Sequence, residues 1–229
     1  MSKIAVIIYG PPGAGKGTQA NLLAGQRGFV HFDTGRYLEQ FLYDPANAKN
    51  PVVARERKVF DKGELISPSF VLKLTGQKTK EISSAGFNLV FSGSPRTMFE
   101  AVGDKNNAGL IKILEEEYGK ENLYPVFLKI APEVSIQRNK NRLICSVCAT
   151  VMLYSDIMHK HKICPLCGGK LVKRLVDNPA IFKTRIKEYK ERTFPILKEL
   201  KKRGYKIINV NGSPLPYIVH QQILQKLPL

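Results

Sequence analysis

The sequence predicts a three-layer α/β/α protein, in which helices cover both faces of a parallel sheet. Short apolar runs rich in β-forming residues alternate with longer stretches of helical character, as in parallel sheets with crossover helices. The five predicted strands are Ile4–Tyr9, Phe29–Phe32, Asn88–Phe91, Pro125–Ile130 and Lys206–Val210. Two zones interrupt the alternation. Residues from about 43 to 84 have the character of short helices, and residues 145–173 form a small module rich in cysteine, glycine and lysine.

Length and composition fit one globular domain with small insertions. The chain has 229 residues, of which 43% are hydrophobic and 24% charged, so a fully disordered chain is excluded. It contains no apolar run of about 18 residues, which a membrane-spanning helix would need. The apolar start Ile4–Tyr9 leads into Gly10-Pro11-Pro12 and resembles no signal peptide, so we expect a cytoplasmic protein.

The charge balance is strongly basic, with 36 Lys and Arg against 19 Asp and Glu and a net charge of +17. Such an excess favours acidic ligands, which include nucleotides, nucleic acid and anionic surfaces. A well-solvated basic surface accounts for the same charge without any ligand. Charge alone therefore does not choose between these interpretations.

The first predicted strand is followed directly by a glycine-rich loop, residues 10–18 with the sequence GPPGAGKGT. A helix is predicted through Gln19–Leu23, so the loop has the strand-to-helix context that a P-loop requires. Glycines let backbone N–H groups wrap a phosphate chain, and the helix N-terminus adds partial positive charge. Lys16 would contact the β and γ phosphates and Thr18 would ligate Mg²⁺. The generic motif has the hydroxyl directly after the lysine, whereas Gly17 intervenes here.

This loop and several later segments resemble the adenylate kinase family of nucleoside monophosphate kinases. The family's form of the P-loop, GPPGAGKGTQA, is present, and other family segments follow in order. They are Asp33-Thr34-Gly35, Asp61-Lys62-Gly63-Glu64-Leu65-Ile66, Gly93-Ser94-Pro95-Arg96-Thr97, Arg138 with Arg142, and Arg174 with Arg185. Each short match is weak, but their common order and spacing are specific and cover nearly the whole chain.

The resemblance implies a P-loop core with a five-stranded sheet in residues 1–32, 87–142 and 176–229. It also implies a helical insertion that binds the nucleoside monophosphate in residues 33–86, and a zinc-binding lid in residues 143–175. The implied reaction is reversible transfer of the γ-phosphoryl group of Mg·ATP to a nucleoside monophosphate, with AMP as the leading acceptor. We expect a monomer whose partners are ATP and a nucleoside monophosphate. No membrane association is expected, and nucleic-acid binding is disfavoured.

The resemblance also assigns residues to each ligand. The donor ATP would contact Gly13, Ala14, Gly15, Lys16, Gly17, Thr18, Arg138, Arg142, Val151, Met152 and Pro214. The acceptor would contact Thr34, Arg36, Glu39, Leu65, Ile66, Gly93, Arg96, Glu100, Arg174 and Arg185. Phosphoryl transfer needs charge neutralisation and alignment more than covalent chemistry, and arginine suits the phosphoryl oxygens. The implied catalytic residues are accordingly Lys16, Arg96, Arg142, Arg174 and Arg185.

Arg138, Arg142 and Arg185 are predicted to lie on two helices. Arg138 and Arg142 are four residues apart on a predicted helix, Glu133–Arg142, and would share one face. A second helix is predicted to begin at Asn178-Pro179, an N-cap followed by proline, and to extend to about Arg203. A solvated basic face is the alternative for Arg138 and Arg142, but the P-loop in the same chain favours nucleotide binding.

The four cysteines, Cys145, Cys148, Cys164 and Cys167, form the paired CxxC pattern of a zinc site. Four thiolates give a closed tetrahedral site, so the zinc would be structural. The module has few large apolar residues, and a bound metal would replace the missing core. His159 and His161 lie in the same loop, where a solvated surface position is favoured over metal ligation. A zinc module that binds nucleic acid is the alternative, although Tyr154 is its only aromatic residue.

Two departures from the family pattern concern charge near the phosphates. Ser92 stands where the family has an aspartate that orients water on Mg²⁺, and a serine can bind that water but adds no charge. Asp33, at the adjacent strand end, is a candidate to compensate. Arg36 and Glu39 reverse the family's order of acidic residue and arginine. They are three residues apart on one helix face, so a charge swap would preserve the pair.

Two further departures leave the acceptor open. Glu100 replaces the glutamine that reads adenine, and a carboxylate only accepts hydrogen bonds, which suits the N1 and N2 donors of guanine. Thr34, in contrast, matches members specific for AMP. Val176 replaces the first of a pair of lid carboxylates, of which Asp177 remains. GMP or another monophosphate as acceptor, a non-catalytic nucleotide-binding homologue and a nucleic-acid-associated P-loop protein therefore remain alternatives.

Overall fold

The computed structural model describes residues 3–152, 162–173 and 177–229. Five parallel strands form its main sheet, and a separate antiparallel sheet contains three short strands. In chain order the strands are β1 (Ala5–Tyr9), β2 (Phe29–Phe32), β3 (Asn88–Phe91), β4 (Leu123–Lys129), β5 (Leu143–Cys145), β6 (Val151–Met152), β7 (Leu171–Val172) and β8 (Ile208–Asn211). The main sheet has the order β2-β3-β1-β4-β8, and the small sheet has the order β6-β5-β7. The five predicted strands are thus confirmed.

Helices connect the strands of the main sheet. In chain order they are α1 (Lys16–Arg27), α2 (Thr34–Tyr43), α3 (Pro51–Asp61), α4 (Pro68–Ser84), α5 (Met98–Val102), α6 (Leu110–Tyr118), α7 (Pro132–Lys140), α8 (Pro179–Glu188), α9 (Phe194–Lys202) and α10 (Pro216–Leu224). Single 3₁₀ turns occur at Pro45–Asn47 and Lys120–Asn122. No helix of the described segments is long and apolar enough to cross a membrane.

The core divides at the main sheet, because alternate side chains of a strand point to opposite faces. On β1, Ala5, Ile7 and Tyr9 pack in one cluster, and Val6 and Ile8 pack in a second. Helices α6 and α9 contribute to the first cluster, and α1 and α10 contribute to the second. All five β1 residues are buried, as expected for a central strand covered on both faces. The predicted three layers are confirmed.

Helices α3 and α4 occupy the region predicted to contain short helices, although α4 extends over 17 residues, and α2 directly precedes this region. Leu38, Ile66 and Val71 form a small buried cluster of their own there. Leu72, the next residue of α4, packs instead in a core cluster of the main sheet. Helix α4 therefore anchors this helical region to the sheet.

Two helix predictions need correction. The predicted helix Glu133–Arg142 ends at Lys140, and Arg142 lies between the helix end and β5. Arg138 and Arg142 therefore do not share a helix face, because the chain leaves the helix to enter the small sheet. The second helix begins at Pro179 as predicted, but a π-helical turn at Tyr189–Thr193 divides it into α8 and α9.

Candidate active site

The phosphate loop joins β1 to α1 at the carboxyl end of the central strand. Gly10, Gly13 and Gly15 have positive φ values of 153°, 83° and 90°, which side-chain-bearing residues rarely adopt. Gly13 also leaves no room for a side chain, since a Cβ atom there would lie 2.3 Å from Asn139 Nδ2 and 2.9 Å from the Ser135 carbonyl oxygen. Helix α7 thus packs directly against the loop, and the Ser135 hydroxyl donates to the Pro12 carbonyl at 2.6 Å.

A large cleft opens along this loop, with a volume of about 1070 Å³. Each predicted donor-site and acceptor-site residue that the structure describes lines this cleft. Residues far apart in sequence meet there because the carboxyl ends of parallel strands lie at one edge of the sheet. Arg174 and Val176 belong to residues 174–176, outside the described segments, as do Tyr154, His159 and His161.

Lys16 is the first residue of α1. Its Nζ donates to the carbonyl oxygens of Gly10 at 2.8 Å and Pro11 at 3.0 Å. Burial and the nearby charges of three arginines, Arg96, Arg185 and Arg142, hold the pKa of Lys16 well below its usual range. A phosphate chain would offset this repulsion, so the electrostatics of the cleft favour an anionic ligand.

Asp177 connects two of these arginines. Arg142 donates from Nε to Asp177 Oδ2 at 2.8 Å, and its Nη2 also bonds to Oδ1. Arg185, on α8, donates from Nη1 to Asp177 Oδ1 at 3.2 Å. The Asp177 side chain is only 2% exposed, so it anchors both guanidinium groups from a buried position. Sequence reasoning identified Asp177 as the remaining lid carboxylate but did not predict this bridging position.

Arg138, on α7, ties the phosphate loop to the segment after β8. Its Nη1 donates to the Gly212 carbonyl at 2.8 Å, and its Nη2 donates to the Ser213 carbonyl at 2.8 Å. Burial lowers the pKa of Arg138. Pro214, a predicted donor-site residue, follows directly and also lines the cleft. Arg138 therefore holds the wall of the cleft formed by residues 212–214, which is separate from the contacts at Asp177.

Arg96 and Glu100 lie in the loop and helix after β3. Arg96 donates from Nε to the Gly93 carbonyl at 2.6 Å. Glu100 is 2% exposed, and its two carboxylate oxygens accept from the Arg96 backbone N–H at 2.8 Å and from Thr97 Oγ at 3.1 Å. Burial raises the pKa of Glu100. Glu100 thus both lines the cleft and fixes the backbone that carries Arg96.

The acceptor side of the cleft is formed by α2 and by the segment between α3 and α4. Asp33 caps α2 by accepting from the Arg36 backbone N–H at 3.2 Å. Thr34 is buried, and its hydroxyl has no hydrogen-bond partner within the segments that the structure describes. Gly63 packs against α8, because a Cβ atom there would lie 2.4 Å from Ile181 Cγ2. This contact brings Leu65 and Ile66 to the helix that carries Arg185.

Two cleft residues, His31 and Asn21, belong to no motif and were missed by sequence reasoning. His31 contacts Asn21 through Nδ1 at 2.6 Å and Ser92 through Nε2 at 2.7 Å. Burial lowers the pKa of His31. The available signal was position alone, since His31 lies near the carboxyl end of a strand of the parallel sheet.

The four cysteines come together beside the small sheet. Their sulfur atoms all lie within 4.8 Å of one another, with Cys145 and Cys167 at 3.4 Å and Cys148 and Cys164 at 3.8 Å. Four sulfurs at about 2.3 Å from a central zinc lie about 3.8 Å apart, so these residues fit a tetrahedral zinc ion. Backbone N–H groups of Val147 and Cys148 donate to Cys145 Sγ at 3.4 Å. Such donors stabilise a thiolate ligand.

The phosphate loop, the arginines around it and the sheet order together define a P-loop phosphotransferase. Residues 8–205 match the family model described as adenylate kinase, and the chain belongs to that family. Its reaction class is therefore that of a nucleoside monophosphate kinase.

Curated relatives match over most of their length. The adenylate kinase of Rhizorhabdus wittichii is 32% identical over 203 residues, which cover 87% of this chain and 88% of that protein. The adenylate kinase of Paracoccus denitrificans is 30% identical over 216 residues, which cover 93% of this chain and 89% of that protein. That of Petrotoga mobilis is 29% identical over 209 residues, with 91% and 90% covered.

The packing of the phosphate loop on α7 predicts the effect of Gly13→Ala. Alanine at position 13 would have to adopt the left-handed backbone conformation of Gly13, and its methyl group would overlap Asn139. We expect the free energy of unfolding to fall by about 2–4 kcal/mol, from backbone strain plus overpacking, and ATP binding to weaken. Urea unfolding and calorimetric ATP titration measure both effects.

Gly25→Ala is the matched control for Gly13→Ala. Gly25 lies in α1, and a Cβ atom added there would meet no other atom within 4 Å. This change should raise the free energy of unfolding by about 0.5–1 kcal/mol. If both variants were equally stable, the proposed tight packing around Gly13 would be wrong.

The cysteine cluster predicts one zinc ion per chain. Metal analysis of protein purified without chelator should find it, and Cys164→Ser should abolish it, because Cys164 is a buried member of the cluster. Limited proteolysis should then cleave the module around the small sheet while the main sheet stays folded. Ser146→Ala, in the same module, serves as the control and should retain zinc. A metal-free wild-type protein whose module resists proteolysis would contradict the assignment.

Proposed function

We propose that this chain transfers the γ-phosphoryl group of Mg·ATP to AMP, reversibly, with formation of two ADP molecules. The observation that carries the proposal is the convergence of Lys16, Arg96, Arg142 and Arg185 on one cleft. The three arginine charges act directly on Lys16. The relatives named adenylate kinase support the same reaction with AMP. A loose phosphoryl-transfer transition state spreads negative charge over several oxygens, and this convergence would neutralise it.

In this proposal the two substrates enter from different elements. The phosphate loop and the segment held by Arg138 would bind ATP. Arg36 and Arg96, with the apolar Leu65 and Ile66, would hold the acceptor. Asp177 aligns Arg142 and Arg185 between the two sites, so that their guanidinium groups face the transferring group. Since both arginines are largely buried, their charges act in a medium of low dielectric, where electrostatic stabilisation is strongest.

Oxygen donors in the cleft fit a magnesium ion. The Thr18 hydroxyl, the Asp33 carboxylate and the Ser92 hydroxyl line the cleft around the phosphate loop, and Mg²⁺ prefers oxygen ligands. When bound with ATP, Mg²⁺ would neutralise charge on the β and γ phosphates. Thr18 would be its direct protein ligand in this proposal. The zinc ion proposed at the cysteines would be structural, because four thiolates leave no open coordination position.

The small antiparallel sheet would act as a lid over ATP. Val151 and Met152 of β6 line the cleft, and Arg142 directly precedes β5. Closure of this module would exclude water from the transferring phosphoryl group. The zinc would hold the module rigid, which fits a positioning role rather than nucleic-acid binding.

The first test is Lys16→Ala. Its ammonium group is the only cation contributed by the phosphate loop, so its loss should lower kcat for ADP formation by at least about a hundred- to a thousandfold. The unfolding midpoint should change little. Lys112→Ala is the matched control, because the Lys112 side chain is 65% exposed on α6. Near-normal turnover of Lys16→Ala would contradict the phosphate-loop assignment.

ADP formation by the wild-type chain across AMP, GMP, CMP, UMP and no acceptor decides among the remaining functions. Turnover with AMP supports the proposal. ATP binding without turnover on any acceptor would instead support a non-catalytic nucleotide-binding homologue. Salt-dependent binding to oligonucleotides in the absence of turnover would support the nucleic-acid alternative.

Acceptor choice is tested by Glu100→Gln. A carboxylate opposite adenine N1 places two hydrogen-bond acceptors face to face, which costs about 1–3 kcal/mol. Because Glu100 lines the cleft, we expect the glutamine variant to raise the AMP-to-GMP ratio of kcat/KM at least several-fold. Glu100→Ala is the comparison, since it also removes the contacts to Arg96 and Thr97 and should lower kcat/KM for both acceptors. An unchanged ratio in Glu100→Gln would mean that Glu100 only holds the Arg96 backbone.

A further inference from the structure

Three polar side chains form a hydrogen-bonded chain at the phosphate-loop side of the cleft. Asn21 lies on α1, three residues after Thr18, so the two side chains share a face of that helix. His31 lies in β2, and Ser92 directly follows β3, the neighbouring strand. Asn21 Oδ1 lies 2.6 Å from His31 Nδ1, and Ser92 Oγ lies 2.7 Å from His31 Nε2. All these residues line the cleft.

The direction of the hydrogen bonds follows from the groups involved. An amide oxygen only accepts, so His31 Nδ1 carries the hydrogen and donates to Asn21 Oδ1. In the neutral ring Nε2 is then an acceptor, and the Ser92 hydroxyl donates to it. The hydroxyl hydrogen of Ser92 therefore points to His31, and the remaining lone pair of Oγ is available to the cleft.

We propose that His31, held by Asn21, is a positioning residue that makes the Ser92 hydroxyl a fixed hydrogen-bond acceptor for a water molecule on Mg²⁺. This inference rests on the proposed function, because it requires Mg·ATP in the cleft. Metal-bound water presents hydrogens outward and needs an acceptor beyond the metal. A serine that rotates freely offers either its hydrogen or its lone pairs, whereas one that donates to His31 can only accept from the water.

The surroundings of His31 support the same hydrogen-bond direction. His31 Nδ1 is already engaged with Asn21 Oδ1, which fixes the ring so that Nε2 faces the Ser92 hydroxyl. An ordinary histidine is mostly neutral above about pH 7, and its second nitrogen is then an acceptor. The hydrogen-bonded side chains of Asn21, His31 and Ser92 thus orient the Ser92 hydroxyl. They add no negative charge at position 92, where the family has an aspartate. Asp33 remains the negative group next to it in the cleft.

The test is a double-mutant cycle on metal binding, with no turnover measured. Calorimetry measures the affinity for the β,γ-imido analogue of ATP twice, once in Mg²⁺ and once in EDTA. We call the ratio of the first affinity to the second the Mg²⁺ gain. Ser92→Ala and His31→Phe should each reduce the gain roughly three- to tenfold, as expected for one neutral hydrogen bond. The double variant should lose no more than Ser92→Ala alone, because His31 acts through Ser92. Affinity in EDTA should stay near the wild-type value throughout.

Further variants separate positioning from folding. Ser92→Thr keeps the hydroxyl and should keep the gain. Asn21→Ala, at an exposed helix position, should fold well and lose part of the gain. His220→Phe is the control, because it makes the same replacement at a buried histidine of α10. Among the described residues that line the cleft His220 does not appear, so this variant should leave the Mg²⁺ gain unchanged.

The possible outcomes distinguish this inference from the proposed function. A wild-type gain in His31→Phe, or losses that multiply in the double variant, would overturn the positioning role alone. A wild-type chain whose affinity does not increase with Mg²⁺ would overturn both. If His31→Phe does not fold, Asn21→Ala decides, and a full gain in that variant counts against the proposal.

Discussion

The site depends on bringing four cations, Lys16, Arg96, Arg142 and Arg185, into one cleft. Burial and the charges of the three arginines lower the pKa of Lys16. Backbone carbonyls of Gly10 and Pro11 accept from Lys16, and that of Gly93 accepts from Arg96. Carbonyl oxygens orient a cation but leave its charge in place. The cleft therefore keeps a strong positive potential, which a phosphate-rich ligand can use.

Asp177 orients two of these cations at once. Its two oxygens bind Arg142 and Arg185 together, so one negative charge holds two guanidinium groups. Arg142 follows α7 and Arg185 lies on α8, so Asp177 also links the end of one helix to the other. One buried carboxylate thus connects residues of two distant segments in the cleft.

The sequence predicted the sheet well and the site contacts only in part. Strands such as Ala5–Tyr9 are short, apolar and bounded by turn residues, so local pattern determines them. The end of α7 was mispredicted, since the chain leaves the helix at Asn141 to form β5, and helical spacing carries no sign of that. The bridge at Asp177 and the His31 contacts join distant segments, and only the folded chain defines them. The roles assigned to the site residues stay predictions, and Arg174 lies outside the described segments.

At single positions that differ from the family pattern, the effect of the new side chain depends on the residues around it. In the sequence, Glu100 is a single replacement of the family's glutamine. In the fold, its carboxylate accepts from the Arg96 backbone N–H and from the Thr97 hydroxyl, in an arrangement similar to a capping box. Ser92 removes a charge, but it lies against His31 and so has a defined orientation. In both cases a hydrogen-bond partner nearby in the fold fixes the orientation of the new side chain. The effect of such a replacement therefore depends on its neighbours, and the acceptor and metal sites have to be analysed as groups of residues.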